Sequence, residues 1–227
     1  MTMSVLTRLR YLPYRAIRRI GTADISRVFG VEYFELRPTL LPQGFEFVEL
    51  TTERFRELLT LFPELFNESR LDDLAKKRAN CYAIFEKEIL AAFSWVSIGD
   101  VPAEFNHNGD LQAGLPISMP EDTGFVHNVL VMPEYRGKRL YGAMMSAMEL
   151  PLRARGVRRL LLTTDATNEN SLRAVRRMGF QELGTAWIFR LGRLTFSGYP
   201  PSPVFDSVTF GRYTGDRSKK AMKARTL

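Results

Sequence analysis

The sequence predicts an α/β domain, one sheet with helices packed on it. Three observations carry this. Strand-like apolar stretches alternate along the chain with stretches of helical spacing, the pattern of a layered α/β unit. Clusters of Pro, Gly and Asn at residues 38–44 and 99–121 punctuate that alternation. Finally, 45 % hydrophobic and 25 % charged residues in a chain of 227 supply one sizeable core and argue against a fibrous or wholly disordered protein.

The first twenty-three residues are rich in Arg and free of acids, with Leu6, Leu9, Leu12, Ile17 and Ile20 forming an apolar stripe interrupted at Pro13. A mitochondrial-type presequence, a helix docked on a membrane surface or partner, and a pair of short helices packed on the domain all fit this pattern. Strands are expected at Val31–Arg37 and Phe45–Leu50, around Pro38 and Pro42-Gln43-Gly44. Thr52 and Glu53 open a helix carrying Phe55, Leu58, Leu59 and Phe62 that ends near Pro63, and Ser69 precedes a second that runs to about Asn80. Cys81–Phe85 and Ile89–Ile98 read as a hairpin about Glu86-Lys87-Glu88. Residues 99–121 form a connection long enough to cover a site or to be a solvated insertion. A strand over Phe125–Val131, a helix from Gly137 to about Arg155, a strand over Arg159–Thr164, a helix over Asn168–Met178 and a strand near Thr185–Leu191 follow. A last strand is expected at Val204–Phe210. The chain thus divides into a basic extension (1–40), a domain (41–210) and a basic tail (211–227).

The formal charge of +7 is concentrated at the ends. Seven arginines against three acids leave residues 1–40 at +4, six basic residues against Asp216 leave the tail at +5, and the body is at −2. Positive ends suit weak attraction to an acidic carrier protein or an anionic membrane surface. No finger, basic-zipper or RNA-recognition signature is present, so a specific nucleic-acid reader is not expected. No apolar run reaches the roughly 18–20 residues that span a bilayer. The single cysteine, Cys81, cannot close an intramolecular disulfide, and with His107 and His127 as the two histidines there is no Cys/His cluster for zinc. A cytoplasmic protein without a metal is expected. Cys81 carries no nucleophile signature, and Met144, Met145 and Met148 read as core.

The chemistry concentrates in Val131-Met132-Pro133-Glu134-Tyr135-Arg136-Gly137-Lys138-Arg139-Leu140-Tyr141-Gly142-Ala143. Here a strand stops at a proline, a tight basic turn follows, and a helix begins. A helix N-terminus presents unpaired N–H groups and positive dipole, and Gly137 lets a diphosphate approach. Lys138 and Arg139 add positive charge without fixing one geometry. An ordinary strand–turn–helix is the plain alternative. A second signal follows in Asn168, Ser171, Gly179 and Phe180, spaced 0, +3, +11 and +12 after a strand ending at Thr163-Thr164-Asp165. With both segments in this order, the sequence resembles the GNAT superfamily of acyl-CoA-dependent N-acyltransferases. Its signature is Arg or Gln, two residues, Gly, one residue, Gly or Ala, then an Asn-x-x-(Ala/Ser)…Gly-Phe helix. The resemblance covers about 45–210 and is strongest over 124–190.

That resemblance implies a central mixed, mostly antiparallel sheet flanked by helices and splayed at the strands Phe125–Val131 and Arg159–Thr164, where a thioester lies. It implies acetyl-CoA, or another acyl-CoA, as co-substrate. Leu130, Val131 and Met132 would pair with the pantetheine arm. Backbone amides of Arg136, Gly137, Lys138, Arg139, Leu140 and Tyr141, with Gly142 beside them, would hold the diphosphate. Asn168, with Ser171 on its helix, corresponds to the residue that bonds the pantetheine or its neighbouring backbone. An amide near Leu130 or Val131 would polarise the thioester carbonyl. Arg139 and Tyr141 stand where the family has its two glycines, the second commonly substituted. Val175 stands where many members place a tyrosine acid. A thiol with a reference pKa near 8.5 leaves tolerably without one, but an alkylamine near 10.4 needs a proton acceptor. His127, nine residues before Arg136, is the candidate base, and a packed strand histidine is its plain alternative. Asp165, Asp122 and Glu121 are weaker candidates that also suit caps and turns. The expected function is acetyl transfer to a primary amine by direct attack in a ternary complex. Alternatives are transfer of a longer acyl group from acyl-CoA or an acyl carrier protein, and acyl-CoA binding without catalysis. The sequence identifies neither the amine acceptor nor the oligomeric state.

Overall fold

The computed structural model describes residues 22–105, 116–192, 194–201 and 207–211. The apolar stripe from Leu6 to Ile20, His107 and the tail beyond Gly211 lie outside the described residues. In chain order the elements are β1 (Thr22–Glu32), β2 (Phe45–Glu49), α1 (Thr52–Leu61), α2 (Glu68–Ala75), β3 (Ala79–Glu86), β4 (Ile89–Ile98), β5 (Ile117–Ser118) and β6 (Thr123–Val131). Then come α3 (Leu140–Ala147), α4 (Glu149–Arg153), β7 (Arg159–Asp165), α5 (Glu169–Arg177), β8 (Gln181–Leu191), β9 (Leu194–Gly198) and β10 (Thr209–Phe210). The described residues fall into two compact units: residues 31–99 with 121–160, and residues 22–30 with 100–105, 116–120 and those described between 161 and 211. Among the described residues no helix is long and apolar enough to cross a membrane.

In the first of these units β2, β3, β4 and β6 pair antiparallel in that order. β3 and β4 meet at a tight turn in which Lys87 is left-handed (φ 57°). Both strands are buried along most of their length, which is why they read as near-continuous apolar runs rather than alternating ones. Thr51 and Asn67 cap α1 and α2 by accepting from the N–H groups of Arg54 and Arg70. Aromatic rings bind α1 and the link to α2 onto β4: Phe55 of α1 lies 5.4 Å from Trp95, Phe66 of the link 4.8 Å from Phe93, and these two rings 5.2 Å from each other. Met144, Met145 and Met148 are fully buried core residues. The helix expected from Gly137 to Arg155 begins later, at Leu140, and runs as α3 and α4.

The second unit contains a strand the sequence did not announce. β1 pairs antiparallel with β8, from Thr22↔Arg190 to Gly30↔Gln181, and β8 turns at Gly192 (φ 57°) into β9. Asp24 and Ser26 sit on a buried face of β1, with Ser26 Oγ donating to Asp24 Oδ2 at 2.9 Å. Polar residues inside hide the strand's alternation. The strand expected over Val31–Arg37 ends instead at Glu32, and Tyr33–Glu35 form a short 3₁₀ turn. The 99–121 connection is closed at its base by a Val101↔Ile117 bridge, and the Asp100 carboxylate accepts from Ser118 Oγ and Met119 N. The strand expected at Val204–Phe210 is, within the described residues, the short β10, which pairs with β5 and not with β8 or β9.

Candidate functional site

Pro133 cannot extend β6 as a ladder donor, and the chain turns through a 3₁₀ turn at Pro133–Tyr135, with Tyr135 N donating to Met132 O at 2.9 Å. Gly137 is left-handed (φ 87°), and a Cβ built there would meet nothing within 4 Å. Arg139 is left-handed too (φ 62°, ψ 18°) and is the residue before α3, yet its side chain makes no capping bond. The first turn of α3 therefore presents its N–H groups uncapped beside an open glycine, an arrangement that fits an anionic diphosphate. Arg139 adopts the backbone a glycine would take there, at a cost of about 1–2 kcal/mol.

Two turn residues make contacts that the sequence does not show. Lys138 Nζ lies 3.7 Å from Glu86 Oε1 and within 5.2 and 4.9 Å of the Phe45 and Tyr135 ring centroids. Gly142 is a packing position: a Cβ there would meet Thr39 Oγ1 at 2.8 Å, and Thr39 N donates to Ser146 Oγ at 2.9 Å.

Strand β6 is bulged just before the turn. Phe93 pairs with Leu130 and Trp95 with His127, so one intervening residue of β4 opposes two of β6. Asn128 takes φ 49° to make this possible. Met132 N donates to Ala91 O at 2.9 Å, and antiparallel alternation then turns the Leu130 N–H toward β4 and the Val131 N–H and C=O away from it. Arg136 Nε donates to that Val131 carbonyl at 3.4 Å. Of the two amides considered from the sequence, Val131 has the one directed off the β4 ladder.

His127 is 5 % exposed, its Nε2 3.0 Å from Ser97 Oγ and its ring stacked with Phe125 and Trp95. Burial, and then the nearby Arg70 charge, hold its pKa well below the ordinary histidine value, so the imidazole is neutral at neutral pH. Arg70 is itself buried against Asp73 and over the Trp95 ring. Asp122 accepts from Arg158 at 2.5 Å, and Asp165 accepts from Thr167 N and Oγ1 at 2.7 and 2.6 Å, roles of turn and cap. Cys81 is fully buried, which raises its thiol pKa well above the ordinary range.

Leu130, Val131, Met132 and the residues from Arg136 to Gly142 thus lie together in one unit, with His127. Asn168 and Ser171 lie in the other, where the Asn168 side chain caps α5 by accepting from Ser171 N at 3.1 Å. Val175, on the same helix, is a fully buried core residue. Sequence reasoning missed Glu86, Phe45, Thr39, Ser97 and the bulge at Asn128. Asn is enriched in left-handed backbone, a signal too weak by itself to mark a bulge.

No curated protein matches the chain. Among solved structures, it is similar to a GCN5-related N-acetyltransferase from Kribbella flavida, at 14 % identity and TM-score 0.51, over 87 % of this chain and 66 % of that one. It is also similar to a tandem GNAT protein from the clavulanic acid biosynthesis pathway, at 15 % identity and TM-score 0.50, over 85 % of this chain and 60 % of that one. At these identities the likeness is one of fold, and the chain spans less than two thirds of the length of either protein. Residues 47–180 match the family described as Acetyltransferase (GNAT) family, a stretch that takes in the basic turn, the bulge and the Asn168 helix. With that match extending over more than half of its length, the chain belongs to the acetyltransferase (GNAT) family and has that family's mixed, mostly antiparallel sheet flanked by helices.

Proposed function

We propose that this protein transfers an acetyl group from acetyl-CoA to a primary amine by direct attack within a ternary complex. The observation that carries the reading is the uncapped N-terminus of α3 behind the open turn at Gly137, one turn of chain beyond the bulged end of β6. The amide N–H groups of that first helical turn bind the diphosphate, and the strand end at Leu130–Met132 accepts the pantetheine arm as an added strand. The Val131 N–H donates to the thioester oxygen as negative charge develops there. The amine lone pair forms the new C–N bond, the C–S bond breaks, the nitrogen gives up its second proton to water to leave a neutral amide, and coenzyme A leaves as thiolate, which takes up a proton from solvent.

His127 enters this reading as the candidate acceptor of the ammonium proton because it lies three residues before Leu130, although its lowered pKa makes it a weak one. Its burial and ring stacking favour a second reading, in which the imidazole is structural and the amine loses its proton to water. The two separate in the pH dependence of amine-driven thiol release: His127→Gln shifts the profile in the first reading and leaves it unchanged in the second.

The reading as a whole is tested by thermal unfolding with coenzyme A, acetyl-CoA and a long-chain acyl-CoA. Ligand at about a hundred times its Kd stabilises by roughly 2.7 kcal/mol. A larger shift with acetyl-CoA than with the long-chain donor is expected. No shift with any of the three overturns the donor site.

A further inference from the structure

We propose that Lys138 is a positioning residue: it clamps the diphosphate turn from outside, with Glu86, Tyr135 and Phe45, and does not bind phosphate itself. The inference rests on the coenzyme A reading given above.

The clamp is built from both ends of the turn. Tyr135 Oη donates to Glu86 Oε2 at 3.2 Å, and Lys138 Nζ lies 3.7 Å from Glu86 Oε1, so one carboxylate joins two residues three apart across the turn. Glu86 is the last residue of β3 and faces Phe45 directly in the β2–β3 register, which anchors the carboxylate to the sheet. The Phe45 ring meets the Tyr135 ring edge-on at 5.8 Å and 83°, and the ammonium lies over both rings. Cation–π attraction and the ion pair thus act on the same charge. Main chain follows side chain, since Lys138 N lies 3.4 Å from Tyr135 O as its donor.

The clamp explains how the turn tolerates Arg139. A glycine at that position would take left-handed backbone freely, whereas an arginine needs surrounding contacts to hold it there. Thr39, seated against Gly142 and bonded to Ser146, holds the following helix from the same preceding segment that leads into Phe45. The turn and the start of α3 are therefore preorganised before any ligand arrives, with the side chains of Arg136 and Arg139 exposed.

The test uses the full chain and its variants Lys138→Met, Lys138→Arg and Glu86→Gln. Two observables are needed: hydrogen exchange of the amides of residues 136–142 in the free protein, and affinity for coenzyme A and for pantetheine, which lacks the diphosphate. Lys138→Met is expected to speed exchange of these amides in the absence of ligand. It should weaken coenzyme A about tenfold, equivalent to about 1.4 kcal/mol, while pantetheine binding stays the same. Lys138→Arg should restore both properties. Glu86→Gln should weaken coenzyme A as well, and the double variant should be no worse than the poorer single one. The inference is overturned if Lys138→Met weakens coenzyme A with free-protein exchange unchanged, or if Glu86→Gln tightens it, because each marks a lysine that contacts phosphate. Equal loss for coenzyme A and pantetheine overturns it too, as a general structural effect. Wild-type protein that binds no coenzyme A would instead remove the donor reading underneath, whatever the exchange data show.

Discussion

Lowering the pH tests the environment of His127 without reference to any ligand. The ring stacks with Phe125 and Trp95 and is bonded to Ser97, and the charge of the buried Arg70, itself paired with Asp73, acts on it. Burial and the Arg70 charge both disfavour the imidazolium in the folded state, whereas the unfolded chain takes up the proton near its ordinary pKa. Between the ordinary value and the depressed one the unfolded state binds more protons, so stability falls as the pH falls through this window. Within that window this one group removes stability at up to about 1.4 kcal/mol per pH unit as the pH falls. For a chain of this length that slope corresponds to a Tm change of up to about 3–6 °C per pH unit. Thermal or urea unfolding of wild type and His127→Gln across that range isolates the contribution, since Gln retains a polar side chain beside Ser97 but does not titrate. The stability gap between the two proteins should narrow steadily toward acid. A constant gap would mean that His127 protonates freely in the folded state, refuting both the burial and the Arg70 argument.

Two further substitutions probe the turn and its support. Arg139→Gly should stabilise the protein by about 0.5–1 kcal/mol in urea unfolding, because relief of left-handed strain outweighs the glycine's greater entropy when unfolded. A destabilised variant would show that the arginine side chain contributes more than its backbone costs. Gly142→Ala should destabilise by about 1–3 kcal/mol, the new methyl meeting the Thr39 hydroxyl at 2.8 Å. Adding Thr39→Ala should recover most of that loss, and a double variant as unstable as Gly142→Ala alone would rule out the contact.

Where a feature depends on a few consecutive residues, it was legible in the sequence. Pro133 stops a strand, Gly137 opens a turn, and Asn168 three residues before Ser171 caps a helix, because each sets local backbone geometry or a bond to a neighbour in the chain. The β3–β4 hairpin was legible for the same reason, its partners being joined by a two-residue turn. β1 was not, because its partner β8 lies some 150 residues onward and the buried Asp24–Ser26 pair breaks the apolar alternation that marks a strand. Likewise, the residue types at His127 and Lys138 state only what each side chain is able to do. Whether the imidazole titrates depends on Trp95, Phe125 and Arg70 packed around it, and where the ammonium spends its charge depends on Glu86 and Phe45 from neighbouring strands. Hydrogen bonds along the chain are set by composition and spacing, whereas desolvation and charge pairing are set by what the fold brings from elsewhere. The sequence by itself therefore determined the turn and pointed to the family, and the tertiary structure alone decided the burial and charge pairing of its titratable groups.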